Sequence, residues 1–220
     1  MQDSSAPGRT ALSGLALLCA GLLFGGVAAG VALGGVLPLP YGPMGAVVAY
    51  ARAKPVALQV IATAVFASSV PLAIYAAMVA ARLRHLGVAR PAAAIALTGG
   101  TLAAGTLGLT ALLGWTLSRP EVSADAALVR AIYFLAFLIG GPGHLVALGL
   151  LVAGVAVPSR ARRLLPGPLA SAGLAVAALA EVTALVLAWP ELGVILPIAR
   201  VAALVWLVPA GLQLGRASPT

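Results

Sequence analysis

The sequence predicts an all-α fold: a polytopic transmembrane helical bundle of six spans, with both termini cytoplasmic. Three observations carry that reading. The chain has an apolar excess that water could not solvate, six apolar stretches of bilayer length, and arginines distributed unequally between alternate loops. Hydrophobic residues fill 62% of the 220 positions and charged residues only 8%. A soluble domain carries about 25% charged residues, whereas side chains facing lipid need no polar covering. The 16 prolines and 26 glycines fall within apolar runs, unlike the polar composition of a disordered chain. The whole of 1–220 therefore reads as one integral membrane domain.

A hydrocarbon core of about 30 Å is crossed by roughly 20 apolar residues in a helix. The qualifying stretches are about 11–36, 56–80, 92–117, 127–157, 168–189 and 192–214. Helix breakers separate them: Pro38 and Pro40, Lys54-Pro55, Arg90-Pro91, Arg119-Pro120, Pro158, Pro166-Gly167-Pro168 and Trp189-Pro190. Proline pushes its preceding residue out of the helical region, which sharpens those boundaries. The first stretch follows Arg9 as a signal peptide would, but it exceeds the roughly 7–15 residues of a signal core, so a retained span is expected. Cys19 stands alone within it, and no intramolecular disulfide can form.

Alternating the six spans puts Arg9, Arg82, Arg84, Arg90, Arg160, Arg162, Arg163 and Arg216 on one side. The other receives Arg52, Lys54 and Arg119, with Arg130 at the mouth of the fourth span. Cytoplasmic loops carry the basic excess, so the first side is inside. The outer loops are the more distinctive. Leu37 to Pro55 contains Pro-Leu-Pro-Tyr-Gly-Pro and then Met44 to Ala53, long enough for a short interfacial helix anchored by Tyr41 and Tyr50. Ser118 to Ala126 holds Glu121 and Asp125, and Pro190-Glu191 leaves only a tight hairpin between the last two spans.

A net charge of +8 raises the question of nucleic acid. The basic residues are scattered over short loops and form no basic domain, so no nucleic-acid partner is expected. Their partners are the lipid bilayer and, at the cytoplasmic loops, anionic head groups. A membrane-protein partner or a second copy of the chain would suit the glycine-rich helix faces. Arginine outnumbers lysine 12 to 1, which resembles the usage of GC-rich bacterial genomes and suggests a bacterial cell membrane.

No catalytic motif is present: no Gly-x-Ser-x-Gly elbow, no His-Glu-x-x-His, no phosphate-binding glycine loop. The reading therefore leans away from an enzyme. A metal site needs three or four ligands, and the chain has two histidines and one cysteine. His85 and His144 fall in different regions, which disfavours a haem between them. No metal and no cofactor are expected.

The polar groups inside the spans are few. Span 4 carries Gly140-Gly141-Pro142-Gly143-His144 near its middle. Pro142 removes a helix hydrogen bond, and the glycines let the backbone open, so freed carbonyls could meet an ion or substrate. His144 beside them can donate, accept or titrate. Glu181 in span 5 and Arg200 in span 6 are opposite charges well inside spans, each costing at least about 2.5–3.5 kcal/mol at mid-bilayer. Folding the hairpin at Pro190 puts them at similar depth, where they are expected to meet. Gly141, Pro142, Gly143, His144, Glu181 and Arg200 thus form the candidate binding set. Small residues mark helix contacts: Gly21, Gly25, Gly26, Gly30 and Gly34 in span 1, and Thr98, Thr101, Gly105 and Gly108 on one face of span 3. The leading functional reading is binding or transport of a small solute, ion or lipid within the bundle. The alternative is a non-catalytic accessory or scaffold subunit of a larger membrane complex.

Overall fold

A computed structural model describes residues 6–218, whose regular structure is entirely helical, without strands. Six helical segments are long and apolar enough to cross a membrane: Thr10–Gly34, Pro55–His85, Arg90–Leu117, Ala126–Arg162, Gly167–Leu187 and Pro190–Arg216. By length and composition the chain is a multi-pass membrane protein whose outer surface contacts lipid. Span 1 is α1 (Ala6–Gly34), followed by the short α2 (Met44–Ala53). Span 2 is α3 (Pro55–His85), span 3 is α4 (Arg90–Leu117), and α5 (Pro120–Ser123) is a single turn. Span 4 joins α6 (Ala126–Leu138) to α7 (His144–Arg162) through a π-turn at Ile139–Gly143. Span 5 is α8 (Gly167–Val182) with a 3-10 extension, Thr183–Leu187; span 6 is a 3-10 segment, Pro190–Val194, followed by α9 (Ile195–Arg216).

The sequence explains most boundaries. Pro55, Pro91, Pro120 and Pro168 sit in first turns, where the missing amide has no intrahelical partner to lose. The carboxylate of Asp125 accepts from the amides of Ala127 (2.8 Å) and Leu128 (3.2 Å), capping α6. Helix α1 gives way at Gly35 (φ 82°) and α3 just before Gly87 (φ 77°), left-handed positions that glycine occupies without penalty.

Two boundaries differ from expectation. Span 2 runs to His85, so Arg82, Arg84 and His85 form its last turn and are not loop residues. Their long side chains reach the interface from a helix that has not yet ended. Pro158 does not break span 4 but lies inside α7, which turns only at left-handed Arg163 (φ 55°). Close packing holds that helix: a Cβ at Gly154 would come within 2.5 Å of the Ala96 backbone nitrogen.

Small residues set the helix spacing, though not always on the expected face. Gly26, Gly30 and Gly34 pack on α3, where added Cβ atoms would collide with Ala64, Ile61 and Ala57. Gly21 and Gly25 face open space. On α4, Thr98, Thr101 and Gly105 point outward, whereas Gly108 is buried against Ser69 of α3 as expected; the closest contacts are made by Gly99 and Gly100, against α7 and Ala76 of α3. In a helix this poor in large side chains, adjacent faces look alike in sequence. One residue rotates the face by about 100°. Span 4 lies between spans 3 and 5, with Gly149 close to Ala180 of α8.

The two ends of the bundle are built differently. At the end bearing Arg216, the buried Tyr75 hydroxyl donates to the Leu207 carbonyl (3.0 Å). Arg82 donates to the carbonyls of Leu214 (2.9 Å) and Ala217 (2.5 Å), acceptors left over at the end of α9. The opposite end is tied at its rim. Arg52 of α2 donates to the carbonyls of Ser123 (2.8 Å) and Ala124 (2.9 Å). Tyr133 donates to the Pro38 carbonyl (2.6 Å), and the Tyr41 ring meets Phe134 and Phe137 edge-on. Tyr41 thus clamps the α1–α2 connection to span 4. Inside this rim the helices leave a cavity.

Candidate functional site

The cavity has a volume of about 680 Å³ and is bounded by spans 1, 2, 3, 4 and 6 and by the α1–α2 connection. Its wall is aliphatic and aromatic: Leu58, Ile61 and Val65 from α3, Leu107 and Ala111 from α4, Phe137 from α6, Leu196 from α9. Polar side chains are rare. Thr110, Tyr133 and Arg200 are the ones that line it, and the Tyr133 hydroxyl is already bonded to Pro38. The exposed members of the wall are Val27 (38%), Leu39 (76%) and Val194 (71%), with Pro197 beside them. The cavity therefore opens sideways between spans 1 and 6, beneath the Pro38–Pro40 connection, through a rim that is apolar.

Its charged wall is built by the π-turn. Pro142 has no amide to donate, and the helix accommodates this by widening over Ile139–Gly143. The amide of His144 bonds to the carbonyls of Ile139 and Gly141, passing over that of Gly140. The Gly140 carbonyl instead accepts from Nη2 of Arg200, sixty residues later in the chain. Gly140 must be glycine for this approach: a Cβ would stand 2.7 Å from Cγ2 and 2.8 Å from Oγ1 of Thr110. The Arg200 Nε is buried without a hydrogen-bond partner. Arg200 lines the cavity, and among the described residues no carboxylate pairs with it.

His144 lies on the other side of the turn. It is fully buried, with Nδ1 2.9 Å from the Ala103 carbonyl. A carbonyl only accepts, so Nδ1 carries the proton and Nε2 is left as an acceptor, buried without a partner. His144 is not part of the cavity wall.

Glu181 and Arg200 do not meet, contrary to the expected hairpin pair. Arg200 reaches span 4 at Gly140, whereas Oε1 of Glu181 lies beside Gly149, 2.8 Å from where a Cβ would stand. Nine residues of span 4 separate those levels, about 14 Å of helix. The equal-depth argument assumed α-helix up to the turn. Both arms are instead 3-10 near it, with a steeper rise and three residues per turn, so depth and facing both change. Glu181 is exposed on the bundle's outer surface.

Of the candidate set, Gly141 and Arg200 line the cavity; Pro142 and Gly143 shape the turn behind it; His144 and Glu181 face elsewhere. Gly140, named with the span-4 motif, also lines the cavity; Thr110, Tyr133 and Phe137 line it too and were not singled out from the sequence. Among the described residues no three of His, Cys, Asp and Glu gather as a metal site. Comparison with protein-family models, curated proteins and solved structures finds no match. The site must be read from its own chemistry.

Proposed function

We propose that the protein is a cell-membrane protein that binds a small apolar or amphipathic molecule inside the bundle, as the binding step of transport or sequestration. The cavity carries this reading. Its size falls within the roughly 300–1,000 Å³ of small-molecule sites, and its apolar wall with few polar groups is the usual composition of such sites. The lateral mouth supports uptake from the bilayer, where apolar ligands concentrate. The basic excess at the Arg216 end supports an orientation with both termini in the cytoplasm and the mouth in the outer half of the membrane. Cysteines at the exposed positions Ala124 and Arg162, in a Cys19→Ser background, test the orientation. Impermeant reagent should label position 124 in intact cells and leave 162 unlabelled.

Native mass spectrometry of the purified protein tests the binding. A small-molecule adduct should survive purification and be diminished in Gly114→Leu. That substitution adds a side chain to the cavity wall, and its Cβ meets no clash, since the nearest atom is Ala62 Cβ at 3.8 Å. Equal adducts in both forms would sink the reading.

The accessory-subunit alternative has one observation in its favour. Glu181 is exposed on a membrane-crossing helix, where lipid contact is costly and a neighbouring subunit would provide cover. Cysteine cross-linking in membranes from the exposed positions Val182 and Leu185 of the same span would capture such a neighbour.

A further inference from the structure

We infer that the cavity's ligand is a single-tailed amphipathic anion whose carboxylate or phosphate head binds Arg200. This rests on the cavity reading and adds the ligand's charge to it. A guanidinium offers five N–H donors in a rigid fork. At Arg200 an Nη2 donor is engaged by the Gly140 carbonyl and Nε is buried away from the cavity, so the remaining Nη donors are the ones a ligand can reach. A cation in hydrocarbon pairs with an anion or a backbone carbonyl; the Gly140 carbonyl meets one donor and leaves the positive charge unneutralised. Glu181 of span 5 is turned to another level of span 4. Glu121 and Asp125 belong to α5 and the α6 cap, on the rim. Glu191 lies nine residues before Arg200, in the 3-10 segment that opens span 6. Among the described residues no carboxylate therefore pairs with Arg200, and the cavity is the direction from which one can arrive.

An oxyanion matches the guanidinium fork, which binds carboxylate or phosphate through two parallel hydrogen bonds. Thr110 stands on the same wall, its hydroxyl 3.5 Å from the Ala136 carbonyl, a long bond that a closer acceptor would outcompete. Every other surface of the cavity is suited to hydrocarbon. The arrangement thus fits one charged head and one apolar tail. The tail runs from Arg200 toward Val27 and Val194 and leaves through the lateral mouth. A second charge on the ligand would find no partner, and a zwitterionic head would place its cation against leucine and valine.

Equilibrium binding to nanodisc-embedded protein, with empty nanodiscs subtracted, tests this. Tritiated dodecanoate, dodecyl phosphate and methyl dodecanoate would be compared at pH 8. Saturable binding at one site is expected, with at least one anion favoured over the neutral ester by tenfold or more. Whichever anion is favoured identifies the head group. Arg200→Gln should remove the preference while ester binding persists, and Gly114→Leu should weaken binding of all three ligands. Equal affinities for anions and ester in the wild type would overturn the anionic ligand and leave the cavity reading standing. So would a preference for the anion that survives in Arg200→Gln. No saturable binding of any ligand would overturn both.

Discussion

Replacing Arg200 by methionine separates a binding arginine from a structural one by the size of its effect on stability. Methionine keeps an unbranched stem of similar length, so the wall loses the charge and little packing. The change has two opposing parts. Removing a cation from a span recovers about 2.5–3.5 kcal/mol on the insertion scale. The Gly140 carbonyl then loses its donor, and the π-turn keeps the His144 amide directed elsewhere, so a buried acceptor is stranded at about 1–3 kcal/mol. The difference lies between roughly 0.5 kcal/mol of loss and 2.5 kcal/mol of gain. Breaking a buried ion pair would instead cost about 3–5 kcal/mol. Reversible unfolding in mixed micelles, followed by far-UV circular dichroism, reads the difference directly. A loss of about 3 kcal/mol or more in Arg200→Met would show that a structural partner exists and that the cavity charge is not free to meet a ligand.

Three further outcomes follow from the same geometry. Gly140→Ala should destabilise by about 1–3 kcal/mol through overpacking on Thr110. Thr110→Ala should rescue it, because only the 3.2 Å contact to Cβ then remains; additive losses in that double-mutant cycle would show that the two helices are further apart. Glu181→Leu and Arg200→Met should have additive effects on stability, within about 0.5 kcal/mol, as expected for groups beyond about 10 Å; a larger coupling would restore the hairpin pair. Tyr133→Phe removes the 2.6 Å bond to Pro38 at about 0.5–1.5 kcal/mol. Hydrogen exchange should accelerate across residues 37–42, and unchanged protection would show that the Tyr41 contacts alone hold the connection.

The spans were legible because membrane crossing leaves two independent marks, apolar length and flanking breakers, and both survive without tertiary knowledge. Helix α2 was legible to the residue, since Met44 to Ala53 is bracketed by Pro43 and Lys54-Pro55. Pro142 announced a disturbed helix for a local reason, its missing amide. The destination of the freed carbonyl was not local. It depends on Arg200, sixty residues away, and on how 3-10 segments rotate span 6. The same rotation defeated the Glu181–Arg200 expectation. Thr110 and Phe137 escaped notice because a threonine or a phenylalanine in a membrane helix is unremarkable until a neighbour withdraws. The α4 contact face was read at Gly108 but missed at Gly99 and Gly100, because small residues occur on more than one side of that helix.

The π-turn and the arginine are best understood as one feature. A straight α-helix through 139–143 would direct the His144 amide to Gly140, and that carbonyl would have no capacity aimed at span 6. An arginine at position 200 would then face hydrocarbon with no acceptor, at the full insertion cost. Widening the helix by one residue leaves a carbonyl pointing out of the ladder. The three glycines of the segment keep that carbonyl uncovered, and Gly140 brings span 3 close behind it. One neutral acceptor is enough to orient the guanidinium and too little to neutralise it. A carboxylate in its place would satisfy the charge and close the site to any ligand anion. A carbonyl fixes the side chain and leaves its charge available, which is the electrostatic condition a membrane cavity must meet to prefer an amphipathic anion over the neutral lipid around it.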